Sequence, residues 1–507
     1  MRTMDLHGLF AISRRRTPEK AALRFHDGEA ERELSYAALF ADADRLAAGL
    51  AARGLRKGDR VAFFLGNRPE FVAAYLAAIR LGAVMVPINL AYRRREIAHI
   101  LGDAEPRLLL TERDRRETLD ELQPEERRCV EQVILAEDLA EDLEDWRADP
   151  SSFSPSLVAE DDLAMLLYTS GTTGRSKGAM ITHGNVLATV TALLAAWAWQ
   201  PDDALLLTLP LFHTHGLVVG LHCALAAGAT VLLRRRFDGA AVAKELRSGN
   251  PTLFFGVPTM YVRLVEELKR REMDSGFERM RLFCSGSAPL SPETFAAFRE
   301  LTGHAILERY GMTETGMNLS NPYAGPRLPG TVGTPLPGVS IRIVDREDRD
   351  VPPGDEGDLL VRGSNVFSGY WRAPEKTAES FVHDALGRRW FRTGDLARRD
   401  PATGYVTLLG RSSELILSGG FNVYPREIEE VLTAYPGVRE AAVAGRPHPE
   451  WGEVPVAFLV ADAAVDEAGL IAFCKTQMAG FKVPKEVRFV EALPRNALGK
   501  VQKHRLG

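Results

Sequence analysis

Asp59-Arg-Val-Ala-Phe-Phe-Leu65 is a short apolar run, Pro69 to Leu81 follows with apolar residues at helical spacing, and Ala83-Val-Met-Val-Pro87 is a second apolar run. Read in order they are strand, helix and strand. A βαβ unit of this kind implies parallel strands with helices on the faces of the sheet. The pattern recurs at Glu96 to Leu110, Ala204 to Leu209, Gly216 to Leu225, Thr230 to Leu233 and Thr252 to Gly256, which predicts a large α/β body. Residues 112–160 interrupt it with Asp, Glu and Arg and read as a surface connection holding a helix and one strand, Gln132 to Leu135. From Gly330 to Val406 the texture turns to Gly, Pro and short β segments, as in an antiparallel or barrel-like subdomain. After Arg411 a smaller α+β unit is expected, with helices at Pro425 to Ala434 and Leu470 to Met478 and strands at Glu440 to Ala444, Val454 to Val460 and Val487 to Val490. The domain cut therefore falls at Arg411, giving residues 1–411 and 412–507.

A chain of 507 residues is too long for one ordinary core, so two or more domains are expected. Its 45% hydrophobic and 26% charged residues are globular values. A net charge of −5 argues against nucleic acid as a main partner. Cys129, Cys223, Cys284 and Cys474 lack metal spacing and fit a reduced, cytoplasmic protein without disulfides. The apolar run Val186 to Trp199 falls short of the roughly 20 residues needed to cross a bilayer. Arg14-Arg-Arg16 after a short apolar patch is the wrong order for a secretory signal, so no membrane role is expected.

The stretch richest in chemistry is Tyr168-Thr-Ser-Gly-Thr-Thr-Gly-Arg-Ser-Lys-Gly-Ala179. Its last ten residues hold three glycines, four hydroxyl side chains and two cations, and an apolar run, Leu163 to Leu167, leads into it. Glycine backbone can approach an anion closely, hydroxyls donate, and Arg175 and Lys177 supply charge. The spacing of Gly174 and Lys177 is not that of a P-loop, and no Ser or Thr follows the lysine. Alone, this segment is either a phosphate loop or a flexible surface loop.

Four further motifs follow in order: Glu308-Arg-Tyr-Gly-Met-Thr-Glu-Thr315, Trp390-Phe-Arg-Thr-Gly-Asp395, Gly404-Tyr405 with Gly410-Arg411, and Pro494-Arg-Asn-Ala-Leu-Gly-Lys500. With the glycine-rich loop they resemble the core motifs of the acyl-adenylate-forming superfamily: acyl-CoA synthetases, carrier-loading adenylation domains and luciferases. The resemblance covers essentially the whole chain; Trp390 stands where many relatives have tyrosine. It implies that a carboxylate attacks the α-phosphate of ATP to give an acyl-AMP, and that coenzyme A then displaces AMP. The first step brings an anion to a polyanion, so cations and backbone donors must offset the repulsion.

By this resemblance Thr169, Ser170, Gly171, Thr172, Thr173, Gly174 and Lys177 cradle the β- and γ-phosphates. Ser285, Gly286, Ser287, Glu308, Tyr310, Gly311 and Met312 frame the adenine and its surroundings. Thr313 bonds the α-phosphate, Asp395 and Arg411 hold the ribose, and Glu314 with Thr173 holds Mg²⁺. Lys500 is the catalytic lysine, a point charge on a long stem suited to bridge carboxylate and α-phosphate; otherwise it is a surface lysine near a chain end. Gly419, Gly420 and Phe421 abut the coenzyme A tunnel once the 412–507 domain has rotated; a plain turn before the next helix is the alternative. The family pivot lies just after Arg411, where this chain has Ser412 and Ser413 in place of the frequent Asp or Lys.

The acid is read from the segments Pro210-Leu-Phe-His-Thr-His-Gly216, Val257-Pro-Thr-Met-Tyr-Val-Arg263, Leu282-Phe-Cys-Ser-Gly-Ser-Ala-Pro289 and Glu308 to Thr315, which resemble the malonyl-CoA synthetases. Arg309 stands where fatty-acid and aryl-acid enzymes have small or apolar residues. A buried unpaired guanidinium is costly, so the substrate is expected to bring a second carboxylate. The resemblance implies an arginine pair, Arg309 and Arg263, on the distal carboxylate of malonate or methylmalonate, with Met317 near C2 and His213 and His215 gating the passage to the thiol. The alternatives are an ion pair of Arg309 with Glu308 or a surface acid, a helix-surface position for Arg263, and core packing for the histidines. Loading of a separate carrier protein and a non-catalytic nucleotide-binding role are the competing functions. No obligatory protein partner is expected.

Overall fold

The computed structural model describes residues 5–28, 30–141, 148–154, 157–169, 176–418, 421–448, 451–462, 465–496 and 499–506. The opening βαβ unit is present as Arg60–Phe64, Pro69–Leu81 and Val84–Pro87, with the two strands parallel. It belongs to a six-stranded sheet ordered Gln132–Leu135, Leu108–Thr111, Arg60–Phe64, Val84–Pro87, Leu163–Thr169 and Lys177–Thr182. Only the last strand runs antiparallel. The acidic connection therefore does more than cross the surface, because its strand Gln132–Leu135 adds an edge to this sheet.

A nine-stranded sheet lies beside it, with Leu307–Met312, Leu282–Ser285, Leu253–Gly256, Ala204–Leu207, Thr230–Arg234 and Ala21–His26 parallel through its centre. The two-residue period of the strands divides their side chains between layers. Val61 and Phe63 share one core with Leu205, Leu207, Val231 and helix residues Phe71, Tyr75 and Leu193, so helices are packed between the two sheets. Ala62 and Phe64 face the other way, onto Ile97 and Leu101. Leu206, Leu232 and Phe254 likewise turn to Tyr261, Leu264 and Leu268. The body is thus layered helix, sheet, helix, sheet, helix.

The segment Gly216 to Leu225 is wound widely over His215–His222, a π-helix, before Cys223–Ala227 closes as an α-helix. A Cβ on Gly216 would stand 2.3 Å from the Pro210 carbonyl oxygen, so this turn lies directly on the preceding chain. π-Turns of this kind commonly mark functional sites. Ser340–Val344, Glu356–Arg362, Arg389–Arg399, Phe381–His383 and Val406–Arg411 form an antiparallel sheet. After Arg411 a five-stranded sheet with its own core follows, built on the paired strands Val438–His448 and Gly452–Ala461 and the helices Pro425–Thr433 and Glu467–Gln477.

Candidate active site

Strand Leu163–Thr169 enters the glycine-rich loop and Lys177–Thr182 leaves it, with Thr169 paired to Lys177. The two strands run antiparallel. Ser170, Gly171, Thr172, Thr173 and Gly174 lie outside the described residues. Thr169 Oγ1 donates to Glu314 Oε1 at 3.2 Å, which joins the end of the six-stranded sheet to the Thr313-Glu314 turn.

That turn links the antiparallel strands Leu307–Met312 and Gly316–Ser320. Gly316 has φ +56°, and a Cβ there would stand 2.3 Å from Thr189 Oγ1, so a tight reversal against the helix His183–Ala196 requires glycine. Glu314 is buried, and its Oε1 also accepts from Tyr370 Oη at 3.1 Å. Desolvation raises its pKa, and the hydrogen bonds and the Arg411 charge only partly oppose this. A buried carboxylate so poorly neutralised is a fitting ligand for a hard divalent cation. Among the described residues no cluster of three His, Cys, Asp or Glu side chains forms a ready-made metal site. Thr313 lines a small cavity of about 40 Å³ with His213, Thr214 and Tyr168.

Asp395 and Arg411 face each other across paired strands. Arg411 Nε lies 3.0 Å from Asp395 Oδ1, Arg411 Nη1 donates to the Thr393 carbonyl at 2.7 Å, and Tyr310 Oη donates to Asp395 Oδ2. Burial raises the Asp395 pKa against the pull of Arg411. Lys500 is brought to this cluster from the other end of the chain. Its side chain is reached by solvent, yet protein crowds the ammonium. That desolvation and then the Arg411 charge lower its pKa, while Asp395 opposes them. The lysine loop is closed by Lys500 N donating to Asn496 Oδ1 at 3.0 Å. It rests on the large domain at Gly499, where a Cβ would stand 2.9 Å from Thr259 Oγ1.

Arg309 is only 3% exposed, and no carboxylate lies within ion-pair distance of it among the described residues. Its Nε and Nη2 have no hydrogen-bond partner among the described residues. The anticipated alternative of a pair with Glu308 is excluded by strand alternation. Glu308 turns to the opposite side and accepts from Gly330 N at 3.1 Å, where burial pushes its pKa up to about 7. Thr214 Oγ1, His215 Nε2 and Ser285 Oγ are also buried without partners. His215 Nδ1 lies 3.3 Å from Ser287 Oγ. Burial, then the Arg309 charge, lowers His213 to about 4 and His215 well below its ordinary value, so both rings are neutral at pH 7. The result is one buried cation and several orphaned polar atoms, an arrangement that an anionic ligand would satisfy.

Met317 is buried, its Sδ 2.9 Å from where a Cβ on Gly311 would stand. Arg263 is exposed, whereas Arg309 is buried. Arg263 lies two residues beyond the buried Tyr261 on Pro258–Arg270, on the exposed side of that helix, with its Cβ against Gly239. Helical spacing turns residues i and i+2 to different sides, so the burial of Tyr261 sends Arg263 outward. Gly419 and Gly420 lie outside the described residues, and Phe421 begins the strand Phe421–Val423. No sequence signal marks Tyr370 as a partner of Glu314, and Gly286, expected at the adenine, lies under Arg309. Tyr370 is 56 residues from its partner and carries no local signal.

The chain matches the AMP-binding enzyme family over residues 10–371 and the AMP-binding enzyme C-terminal domain over residues 427–500. It is 36% identical to a feruloyl-CoA synthase of Amycolatopsis sp, over 99% of this chain and 98% of that one. It is 37% identical to a sulfoacetate–CoA ligase of Cupriavidus necator, over 99% and 97%. It is 36% identical to the mitochondrial malonate–CoA ligase of Bos taurus, over 90% and 82%. Among solved structures, ATP-bound MatB from Rhodopseudomonas palustris superposes with a TM-score of 0.90 at 42% identity, covering 99% of this chain and 98% of that one. The apo form of the same protein, over the same coverage, scores 0.78 at 41% identity. At equal sequence likeness, this chain is therefore arranged more as the ATP-bound protein is.

Proposed function

We propose, from the premise that this chain belongs to the AMP-binding enzyme family and is an acid–thiol ligase forming coenzyme A thioesters, that the acid it activates is malonate, with methylmalonate as a close substitute. One observation carries the reading: Arg309 is buried beside the Thr313-Glu314 turn with two guanidinium nitrogens unpartnered and no carboxylate near among the described residues. One carboxylate of malonate reacts at the α-phosphate; the other supplies the missing anion. His215 and Ser285 have free polar atoms to complete its hydrogen bonds. A neutral feruloyl tail would leave Arg309 an uncompensated buried charge.

In this reading Thr169 and Lys177, with the loop between them, hold the phosphate end of ATP. Thr313 bonds the α-phosphate, and Asp395 with Arg411 fixes the ribose. Lys500 bridges the attacking carboxylate and the α-phosphate, offsetting charge that grows in the transition state. Glu314 and Thr173 would hold Mg²⁺, which when bound neutralises phosphate oxygens. The small domain after Arg411 then turns, withdrawing Lys500 and presenting the Gly419-Gly420-Phe421 segment to the coenzyme A thiol, which displaces AMP. The four free cysteines suit a reducing compartment, and we assign the reaction to the cytoplasm.

A second reading rests on the sulfoacetate–CoA ligase relative: a sulfonate would also satisfy Arg309. AMP release measured with malonate, methylmalonate, sulfoacetate, acetate, butyrate and ferulate separates the readings. Malonate or methylmalonate should have the highest kcat/KM. Preference for sulfoacetate selects the second reading, and preference for acetate, butyrate or ferulate removes both. Acyl-AMP accumulating in the presence of free coenzyme A would point instead to a carrier-protein thiol.

A further inference from the structure

The geometry points to a second anion site, for an organic phosphate, on the antiparallel sheet formed by residues 340–411. Arg362, Arg388 and Arg389 line a cavity of about 470 Å³ there, with Ser340, Ser364 and the ring of Phe381. That volume suits a nucleotide-sized ligand, since small-molecule sites commonly span about 300–1,000 Å³. None of these residues takes part in the adenylation site.

The charges in the cavity are unbalanced. Arg388 is paired, its Nε 2.6 Å from Asp384 Oδ2. Asp384 also accepts from Trp390 Nε1 at 2.9 Å and from the backbone of its own turn, so its acceptor capacity is taken. Arg362 and Arg389 have no carboxylate within ion-pair distance among the described residues. Arg389 lies over the Phe381 ring, its Cζ 3.3 Å from the ring centre, and makes one long contact, 3.5 Å, to the Ser368 carbonyl. Two forked guanidinium groups without counter-ions match a phosphate or diphosphate, to which arginine bonds bidentately. Hydroxyls of Ser340 and Ser364 add donors, and the half-buried Val366 offers apolar surface for the organic part.

The cavity is connected to catalysis through one loop. The segment after Glu356–Arg362 gives Gly363, Ser364, Val366 and Phe367 to the cavity. The same segment donates from Phe367 N to the Glu314 carbonyl at 2.8 Å and from Tyr370 Oη to the Glu314 carboxylate.

Isothermal titration of the full-length enzyme tests the site, with the adenylation site saturated by a non-hydrolysable malonyl-adenylate analogue. The probes are ADP, 3′,5′-ADP and inorganic tripolyphosphate. One equivalent of ADP or 3′,5′-ADP should bind, and R362Q/R389Q should weaken it at least tenfold while leaving malonate-dependent pyrophosphate exchange unchanged. Tighter binding of 3′,5′-ADP identifies the nucleotide end of coenzyme A as the source; equal or tighter binding of ADP identifies a free nucleotide. Binding of tripolyphosphate alone overturns the organic class. No binding, or equal binding in R362Q/R389Q, overturns the site. Photolabelling of the wild-type enzyme with 8-azido-ADP gives an independent readout: label within residues 362–389 supports the site, and label only elsewhere overturns it.

Discussion

Arg309 fills the space that a side chain on Gly286 would need: a Cβ there would stand 2.5 Å from Arg309 Cζ, 2.6 Å from Nε and 2.7 Å from Nη1. The glycine of Ser285-Gly286-Ser287 is thus the floor on which the buried cation rests. The pair links a segment expected to frame adenine with the residue expected to choose the acid.

Removing the cation should change the preferred acid. Arg309→Ala should lower malonate kcat/KM at least ~100-fold, on the order of the 3 kcal/mol for losing half of a desolvated ionic contact. Butyrate should lose little or gain. Steady-state kinetics on both acids decides, and an equal loss for both would assign Arg309 a structural role.

Gly286→Ala tests the floor itself. The added methyl must displace the guanidinium, because the alternative is a contact no real Cβ shows. Malonate KM should rise roughly tenfold or more, with the KM for ATP moved far less. Loss of ATP affinity with malonate affinity retained would tie Gly286 to adenine alone.

The residues that carried sequence reasoning furthest were those whose neighbours in the chain are their neighbours in space. The unit from Arg60 to Pro87 was legible because its periodicity switches from strand to helix and back over short distances. The buried cation at Arg309 was legible because the pattern around it expects an apolar residue. The exposure of Arg263 follows from helical phase relative to Tyr261, whose burial and hydrogen bond to the Cys284 carbonyl orient the helix. Tyr370 and Asp358 were invisible for a different reason. Each meets its partner through a fold-wide contact, 56 and 54 residues away, and no local pattern encodes such pairs.

Lys500→Ala should separate the two half-reactions. Malonate-dependent pyrophosphate exchange should fall by at least ~10²-fold, since a charge that acts in the transition state is removed. Conversion of preformed malonyl-AMP to the thioester should persist. Parallel loss of both activities would place Lys500 in folding or in both steps.

Buried histidines should make stability fall in mild acid. His222 is fully buried, stacked on Tyr75 at 5.1 Å, with both ring nitrogens unpartnered. Burial, then the charge of His183, lowers its pKa from 6.5 to about 3. Below pH 6.5 the unfolded chain takes up a proton that the folded chain refuses, so stability drops as pH falls toward 3. The buried carboxyls Glu308, Glu314 and Asp395, with raised pKa values, act in the opposite direction, so the comparison must isolate one histidine. Between pH 7.5 and 5.5 the wild type should lose roughly 1.4 kcal/mol more than His222→Phe. Urea unfolding at the two pH values measures the difference, and equal losses would mean that His222 takes up its proton while folded.

A hydrogen bond stands as a latch just after the proposed domain boundary. Ser412, in place of the frequent Asp or Lys, donates from Oγ to Asp358 Oδ1 at 2.6 Å. Asp358 belongs to Glu356–Arg362 of the large domain, so the bond ties the first residue after Arg411 back to that domain in the arrangement that brings Lys500 to Asp395 and Arg411. A hydrogen bond to a charged acceptor contributes about 1.5–3 kcal/mol, less where solvent reaches it. If the small domain turns as proposed, the bond breaks, and it then favours the adenylating arrangement over the thioester-forming one. Ser412→Ala should slow adenylation severalfold and leave thioester formation from malonyl-AMP equal or faster, and Ser412→Thr should restore the balance. Rapid-quench measurement of each half-reaction reads the split. Equal slowing of both steps, or none, would mean that the bond is incidental.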